Sequence, residues 1–359
     1  MPLRELPGVL TVEALHRTVG AIAAAQHPTG ALPWPDGHTD PWDHVECVMA
    51  LTLGGRLDQA RAGYAWLRRT QERDGAWRTK YDGERVLDAT VDTNQCAYVA
   101  VGVWQWWTVT GDRGLVDQMW PYVRRALDLV LDHQAPGGQF AWSRSPEGVL
   151  DHGALLTGAS STYQALRCGL ALAELVGEPQ PEWELSAGLL QHAVAHHPEV
   201  FLDKARFSMD WYYPVLGGAV RGQAGRAMIA GRWDEFVVAG VGARCVADRP
   251  WVTGAETAEL ALALLTLGDR ESALRLIVDV QHLREQDGSY WTGLVFDEDV
   301  RWPEERSSWT SAAIVLAADA LAGGPTYELF AGHELPTGAL LPADHCLTVD
   351  AACATADLR

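Results

Sequence analysis

At 359 residues, 48% hydrophobic and 21% charged, the chain is long enough for one large domain and has the composition of a soluble globular protein. Its formal net charge of -19 excludes nucleic acid and anionic membrane as partners, since both demand clustered Lys and Arg. The 16 Trp residues are unusual, and they supply flat faces suited to core packing, to stacking on sugar rings or to lining a carbocation pocket.

The N-terminal segment MPLRELPGVLTVEALHR lacks the basic stretch and apolar run of a signal peptide, and no later segment is long and apolar enough to span a bilayer. Apolar periodicity then predicts helices at roughly 11–26, 41–55, 57–72, 91–110, 114–133, 157–177, 182–197, 209–231, 233–247, 254–268, 270–285 and 306–322, with almost no strand alternation. WDHVECVMALTLGGR sets Val45, Val48 and Met49 on one broad face and stops at Gly54 and Gly55. A phrase recurs at the helix ends: Gln26, Gly30 and Trp34; Gln71, Gly75 and Trp77; Gln134, Gly138 and Trp142; Gln286, Gly288 and Trp291. A repeat of roughly 50 residues holding two helices marks an array of hairpins. Twelve helices in six hairpins predict an all-α fold, an (α/α)6 toroid over 1–324, because no polar capping repeat ends an open solenoid. Residues 325–359 read as a tail, strapped over the domain or partly disordered. Cys47, Cys96, Cys168, Cys245, Cys346 and Cys353 form no C-x-x-C, so the expectation is a cytoplasmic protein with reduced thiols.

The Gln-x-x-x-Gly-x-Trp phrase resembles the QW motif of squalene–hopene cyclases and protein prenyltransferases. The same turn occurs in the six-hairpin glycosidases, of which the glucoamylases are best known. The cyclase D-x-D-D is absent, LDATVDTNQ with Asp88 and Asp92 being the nearest stretch, and no Asp, Cys and His set matches the prenyltransferase zinc site. Over roughly 30–322 the chain resembles glucoamylases in the order of its segments. HTDPWDHVECVMALTLGGRLDQARAGYAWLRRTQERDGAW is similar to the segment carrying that family's sugar-binding Asp, which implies this role for Asp43, with Trp42 replacing the family's Arg. LDHGALLTGASSTYQALRCGLALAELVG resembles the stretch just after the family's catalytic acid, and WPEERSSWTSAAIVLAADAL the region of its Glu base. The family's Trp-Glu-Glu at the acid is missing.

Glycoside hydrolysis needs two carboxyl groups, one to protonate the leaving oxygen and one to activate water or attack. In a toroid they belong on loops between an outer helix and the next inner one. Loop 134–156 carries Glu147 and Asp151, and loop 286–306 carries Glu304 and Glu305 among other acids. The expected pair is Asp151 as acid and Glu305 as base, with Glu304 and Glu147 behind them; helix-dipole or solvated-loop roles are the alternative for each. Expected sugar contacts at the inner-helix starts are Trp42 and Asp43, Asn94 and Gln95, Asp210 with Trp211 and Tyr212, and Trp251 with Glu256, joined by Trp302 on the last loop. Asp92 is expected to cap its helix. HTDPWDHVE is rich in His and Asp but matches no metal spacing, so neither metal nor cofactor is expected. Polar side chains at these positions would be costly beside a hydrocarbon. The reading is therefore a carbohydrate-active enzyme, an inverting hydrolase of an α-linked glycoside with a small saccharide substrate. A terpenoid cyclase or prenyltransferase-like enzyme, or a non-catalytic binding toroid, are the rivals.

Overall fold

The computed structural model describes residues 3–332 and 334–341. The chain alternates between the outside and the inside of a ring. Outer α1 (Val12–Ala24) leads to inner α2 (Pro41–Leu53), then outer α3 (Leu57–Thr70), inner α4 (Thr93–Thr110), outer α5 (Arg113–Leu131), inner α6 (Leu156–Val176) and outer α7 (Pro181–His196). Inner α8 (Ser208–Leu216), outer α9 (Gly222–Gly231) and the one-turn α10 (Trp233–Phe236) follow. Inner α11 (Gly254–Thr266), outer α12 (Arg270–Asp279), inner α13 (Ser308–Leu321) and short α14 (Pro325–Phe330) complete the path. Neighbouring inner helices pack on one another, α13 returns to α2, and α1 packs against α13, so the toroid closes.

Sequence decides which helices go inside. GAETAELALALLT and SWTSAAIVLAADAL are apolar almost all round and are buried all round. Outer α5 instead buries one stripe that includes Leu115, Met119, Trp120 and Val123. Asp40, Asp92 and Ser307 cap three inner helices, accepting from the backbone N–H groups of Asp43, Gln95 and Thr310.

The repeated phrase is a staple. Gln26 Nε2 donates to the Gly30 carbonyl (3.0 Å) and to the Gln59 carbonyl on α3 (2.9 Å). Gln71 does the same to Gly75 (2.9 Å) and Tyr122 on α5 (2.8 Å), and Gln134 to Gly138 (2.8 Å) and Ser186 on α7 (3.1 Å). Each turn is thereby pinned to the next outer helix. The fourth repeat departs from expectation, because Arg284 takes the glutamine's place and donates to the Ala14 carbonyl on α1 (3.0 Å), leaving Gln286 two residues displaced.

Two helix expectations need correction. The helix read over 209–231 breaks into α8 and α9 at Gly218, whose φ of +82° ends a right-handed helix. The segment read as helix over 233–247 is one helical turn followed by strands. These belong to small sheets, each joined antiparallel: β1 (Lys80–Asp82) with β2 (Arg85–Asp88), and β3 (Val91–Asp92), β4 (Ser143–Arg144) and β5 (Leu150–Asp151) in that order. β6 (Val237–Val238), β7 (Gly242–Arg244), β8 (Trp251–Thr253), β9 (Gly293–Val295) and β10 (Val300–Arg301) pair in sequence order.

α14 packs on α13, α11 and α4 beneath the ring. Beyond it the chain runs along α6 and α7, where Tyr163 Oη donates to the Thr337 carbonyl (3.0 Å) and Ala339 N–H to the Glu184 carbonyl (2.7 Å). The rest of the expected tail, with Cys346 and Cys353, lies outside the described residues.

Candidate active site

The inner helices all begin on one rim, and every described strand and long connection lies there. Connections on the opposite rim are short turns such as 54–56, 111–112 and 267–269. The candidate mouth is therefore built from inner-helix starts.

Asp40 and Asp43 open α2. Asp40 Oδ1 accepts the Asp43 N–H (2.9 Å), and Oδ2 accepts the Trp34 indole N–H (3.0 Å). Burial, and then the neighbouring Asp40 carboxylate, hold the Asp43 carboxyl well above the usual range, which favours its protonated form. His44 cannot serve as a metal ligand here: its Nδ1 accepts the Leu32 N–H (3.1 Å) and its Nε2 faces the Gly63 carbonyl (3.2 Å). Burial lowers its pKa to about 4. Among the described residues no three His, Cys, Asp or Glu side chains converge on a metal position.

One turn below, Glu46 and Glu259 lie near the ring axis, 3% and 2% exposed. Glu46 accepts from the Trp42 indole (3.3 Å), Tyr98 Oη (3.0 Å) and the Trp309 indole (2.9 Å). Glu259 accepts from Tyr212 Oη (2.5 Å) and Tyr213 Oη (2.6 Å). Burial raises Glu46 to about 7 and holds Glu259 well above the usual carboxylate range, against the opposing pull of these donors. Neither residue is among the expected sugar contacts or the expected acid and base, although the sequence sets Glu46 in the acidic HTDPWDHVE cluster and Glu259 beside Glu256 at an inner-helix start, where a buried Glu has a raised pKa. A lone Glu inside an otherwise apolar inner helix, as in HVECVMAL and TAELALALL, was the signal available.

A cavity of about 80 Å³ opens beside Trp42, between the starts of α2, α4 and α6, lined also by Asp92, Asn94, Trp142 and Thr157. The buried side-chain carbonyl oxygens of Asn94 and Gln95 accept no hydrogen bond from the described chain, which suits them to ligand hydroxyls. Asp92 caps α4 as expected, and burial pushes its carboxyl up to about 6. Asp210 Oδ1 accepts from both the N–H (3.2 Å) and the hydroxyl (2.5 Å) of Thr157, across from α8 to α6. Burial also raises Asp210.

The remaining expected residues scatter. Asp151 is exposed on β5, and the Gly153 N–H on its Oδ1 (2.9 Å) holds its carboxyl below the usual range, the opposite of what a proton donor needs. Glu147 is exposed and bound by the Ser145 hydroxyl (2.8 Å), and Glu304 is exposed as well. Glu305 is half-buried, with Thr292 Oγ1 donating to it (3.2 Å). Trp251 and Trp302 meet edge to face on the rim (4.7 Å), with Trp302 51% exposed. Trp211 turns away from the axis: it stacks on Phe236 (5.1 Å) and donates to the Met228 carbonyl on α9 (2.9 Å). Tyr212 is fully buried beneath the mouth, its hydroxyl spent on Glu259. Glu256, 5% exposed, stands in the first turn of α11, one turn above Glu259 and beside the Cys245 thiol.

No protein-family model matches the chain. It is 56% identical over 354 residues to the MMP endo-(1,4)-3-O-methyl-alpha-D-mannosidase of Mycolicibacterium hassiacum, covering 98% of this chain and 97% of that one. Solved structures that share its fold include a glycosidase variant in complex with glucose, at 17% identity and a TM-score of 0.65 over 86% of this chain and 96% of that one. A D-mannose isomerase aligns at 11% identity with a TM-score of 0.65, over 87% and 97% of the two chains. The GH63 mannosylglycerate hydrolase from Thermus thermophilus in complex with glucose aligns at 13% identity with a TM-score of 0.65, over 84% and 99%. At such identities the structures speak for the toroid fold.

Proposed function

The chain belongs to the glycoside hydrolase family of the Mycolicibacterium mannosidase, and on that premise we propose that it is an endo-acting, inverting α-mannosidase cutting (1,4) bonds in a 3-O-methylated mannoside, with Asp43 as proton donor and Glu256 as base. The observation that carries this reading is the Asp40 and Asp43 pair: two carboxyls joined at one helix start, with Asp43 raised well above the usual range by burial and by its neighbour. On a helix turning about 100° per residue, Trp42 and Glu46 share the axial face, and Asp43 follows on the side toward α13. Cys47, a turn below, meets Ser308 on that side.

Asp43 gives its proton to the glycosidic oxygen as the bond to the anomeric carbon breaks. Glu256 takes a proton from the water that attacks the opposite face of that carbon, and both groups then reset by exchange with solvent. Their helices α2 and α11 are separated in the ring by α13, which favours the wider carboxyl spacing, roughly 6.5–9.5 Å, that leaves room for water. The cavity walls suit a methylated sugar, since Trp42, Trp142 and Phe140 offer apolar faces and Asn94 and Thr157 offer polar atoms.

We also place the enzyme in the cytoplasm: Cys47, Cys96, Cys168 and Cys245 are free thiols, as a reducing compartment allows. No helix among the described residues is long and apolar enough to cross a membrane.

The test is an NMR time course on an α-(1,4)-linked oligomannoside methylated at O3. Internal cleavage with the β anomer appearing first is expected. Early α anomer would overturn inversion, and release of terminal sugars alone would overturn endo action. An intact methylated chain beside cleavage of another glycoside would overturn the substrate. Asp43→Asn and Glu256→Gln should each lower kcat roughly a thousandfold.

A further inference from the structure

Glu46 is a buried acid whose three hydrogen-bond donors are all neutral and all aromatic: Trp42 on its own helix, Tyr98 on α4 and Trp309 on α13. A carboxyl buried without a cationic partner is a poor source of stability, and an apolar side chain of similar volume would serve packing better. What it supplies is direction. Trp42 is the indole that lines the cavity, held edge-on by Tyr213 (5.7 Å, 90°) and tilted against Tyr98 (5.6 Å, 49°). Trp309 leans on Trp34 (5.8 Å), whose N–H is bound to Asp40 beside Asp43. A single carboxylate thus fixes the wall of the cavity and braces the acid pair on the other side of the mouth.

We propose that Glu46 is a positioning residue for sugar recognition, setting the plane of the Trp42 indole as a stacking face in the mouth. This rests on the saccharide reading of the mouth. Glu46 takes no part in the chemistry itself, since both of its oxygens are occupied by aromatic donors a turn below the rim.

The arrangement makes a chemical prediction. Oε1 serves two donors and Oε2 one, so an amide at this position must turn its NH2 group toward at least one N–H or O–H that it cannot accept. Glu46→Gln should therefore raise KM about tenfold, leave kcat within about threefold, and shift the tryptophan emission of the sugar-free protein to the red. A double-mutant cycle supplies the decisive readout. If Glu46 acts through Trp42, the KM of Trp42→Phe combined with Glu46→Gln should be no worse than that of the worse single variant. Additive effects on KM, an unchanged KM in folded Glu46→Gln, or a fall in kcat at constant KM would each overturn the proposal. If the glutamine variant does not fold, Trp309→Phe keeps a ring and removes one donor; it should raise KM about threefold, and an unchanged KM would count against the proposal. Failure of the wild-type protein to cleave methylated mannosides would strike the functional reading instead. The emission shift of sugar-free Glu46→Gln would still report on how Trp42 is held.

Discussion

The same rim of the ring carries two concentric sets of polar residues that behave in opposite ways. On the outer circle, Gln26, Gln71 and Gln134 each spend their amide on two backbone carbonyls, one in their own turn and one on the neighbouring helix. On the inner circle, Asn94 and Gln95 bury carbonyl oxygens without a partner in the described chain, and burial beside Asp40 holds the Asp43 carboxyl well above the usual range. A polar group fully paired within the protein is scaffold. One buried at a cost and left open is available to a ligand. The recurring phrase that dominates the sequence thus marks the circle whose glutamine amides are spent within the scaffold.

The largest expected effects separate the two circles by what they damage. Asp43→Asn should lose about a thousandfold in kcat while the Tm moves by no more than about 2 °C, because the variant sheds an acid that burial already penalises. Gly75→Ala should do the reverse. Its φ is +96° and a Cβ there would sit 2.3 Å from the Arg125 carbonyl oxygen, so the turn must pull away from α5. A loss of about 3 kcal/mol is expected, read as a lower Tm with kcat unchanged below the transition. A large kcat loss in folded Gly75→Ala would erase the distinction between the circles.

A smaller effect sharpens the inner circle. Asp92 has its carboxyl raised from 3.8 to about 6 by burial, so its contribution to stability is fully present below pH 3.8 and is lost as pH rises through about 6. Asparagine caps a helix equally well and does not titrate. Asp92→Asn should therefore gain on the wild type between pH 4 and pH 7, by on the order of 1–2 kcal/mol in denaturant midpoints converted to free energy. A difference that stays flat across that window would mean that Asp92 ionises as freely in the fold as out of it.

The ring was legible because its signals are local and repeated: inner helices apolar all round, outer helices striped, and a Gln and Gly turn at three of the hairpin ends. Brief elements leave weaker marks. Strands of two or three residues such as β6 and β7 leave no alternation to detect, and Gly240 and Gly242, both at positive φ, turned an expected helix into the edge of a sheet. Arg284 stands in the glutamine's place because the staple needs only a long side chain whose N–H reaches a carbonyl of the next helix, which arginine supplies as glutamine does. The proposed site uses inner-helix starts that the sequence already offers, with Trp42, Asp43, Asn94 and Glu256. The roles proposed for them are not legible there, because protonation depends on what the fold brings near. Asp40 beside Asp43, and Gly153 N–H on Asp151, are facts of three-dimensional packing.

The smallest expected effect concerns the pair that the glucoamylase resemblance favours. Asp151 is exposed, bound by a backbone N–H and held below the usual carboxylate range, so at neutral pH it has no proton to give. Glu305 is tied to its own loop through Thr292, which donates to its side chain (3.2 Å) and, from the backbone, to its carbonyl (3.1 Å). Asp151→Asn should keep kcat within about twofold and the Tm within about 1 °C, as expected for exposed positions. Glu305→Gln, which retains an oxygen for Thr292, should keep kcat within about fivefold and register mainly in KM. The measurement that matters is the same NMR assay run on all four variants side by side. Collapse of Asp151→Asn with survival of Asp43→Asn would move the proton donor to the β4–β5 hairpin. It would also mean that this hairpin folds inward over bound substrate and desolvates Asp151 there, since the exposed carboxyl seen in the free protein cannot protonate a leaving oxygen at neutral pH.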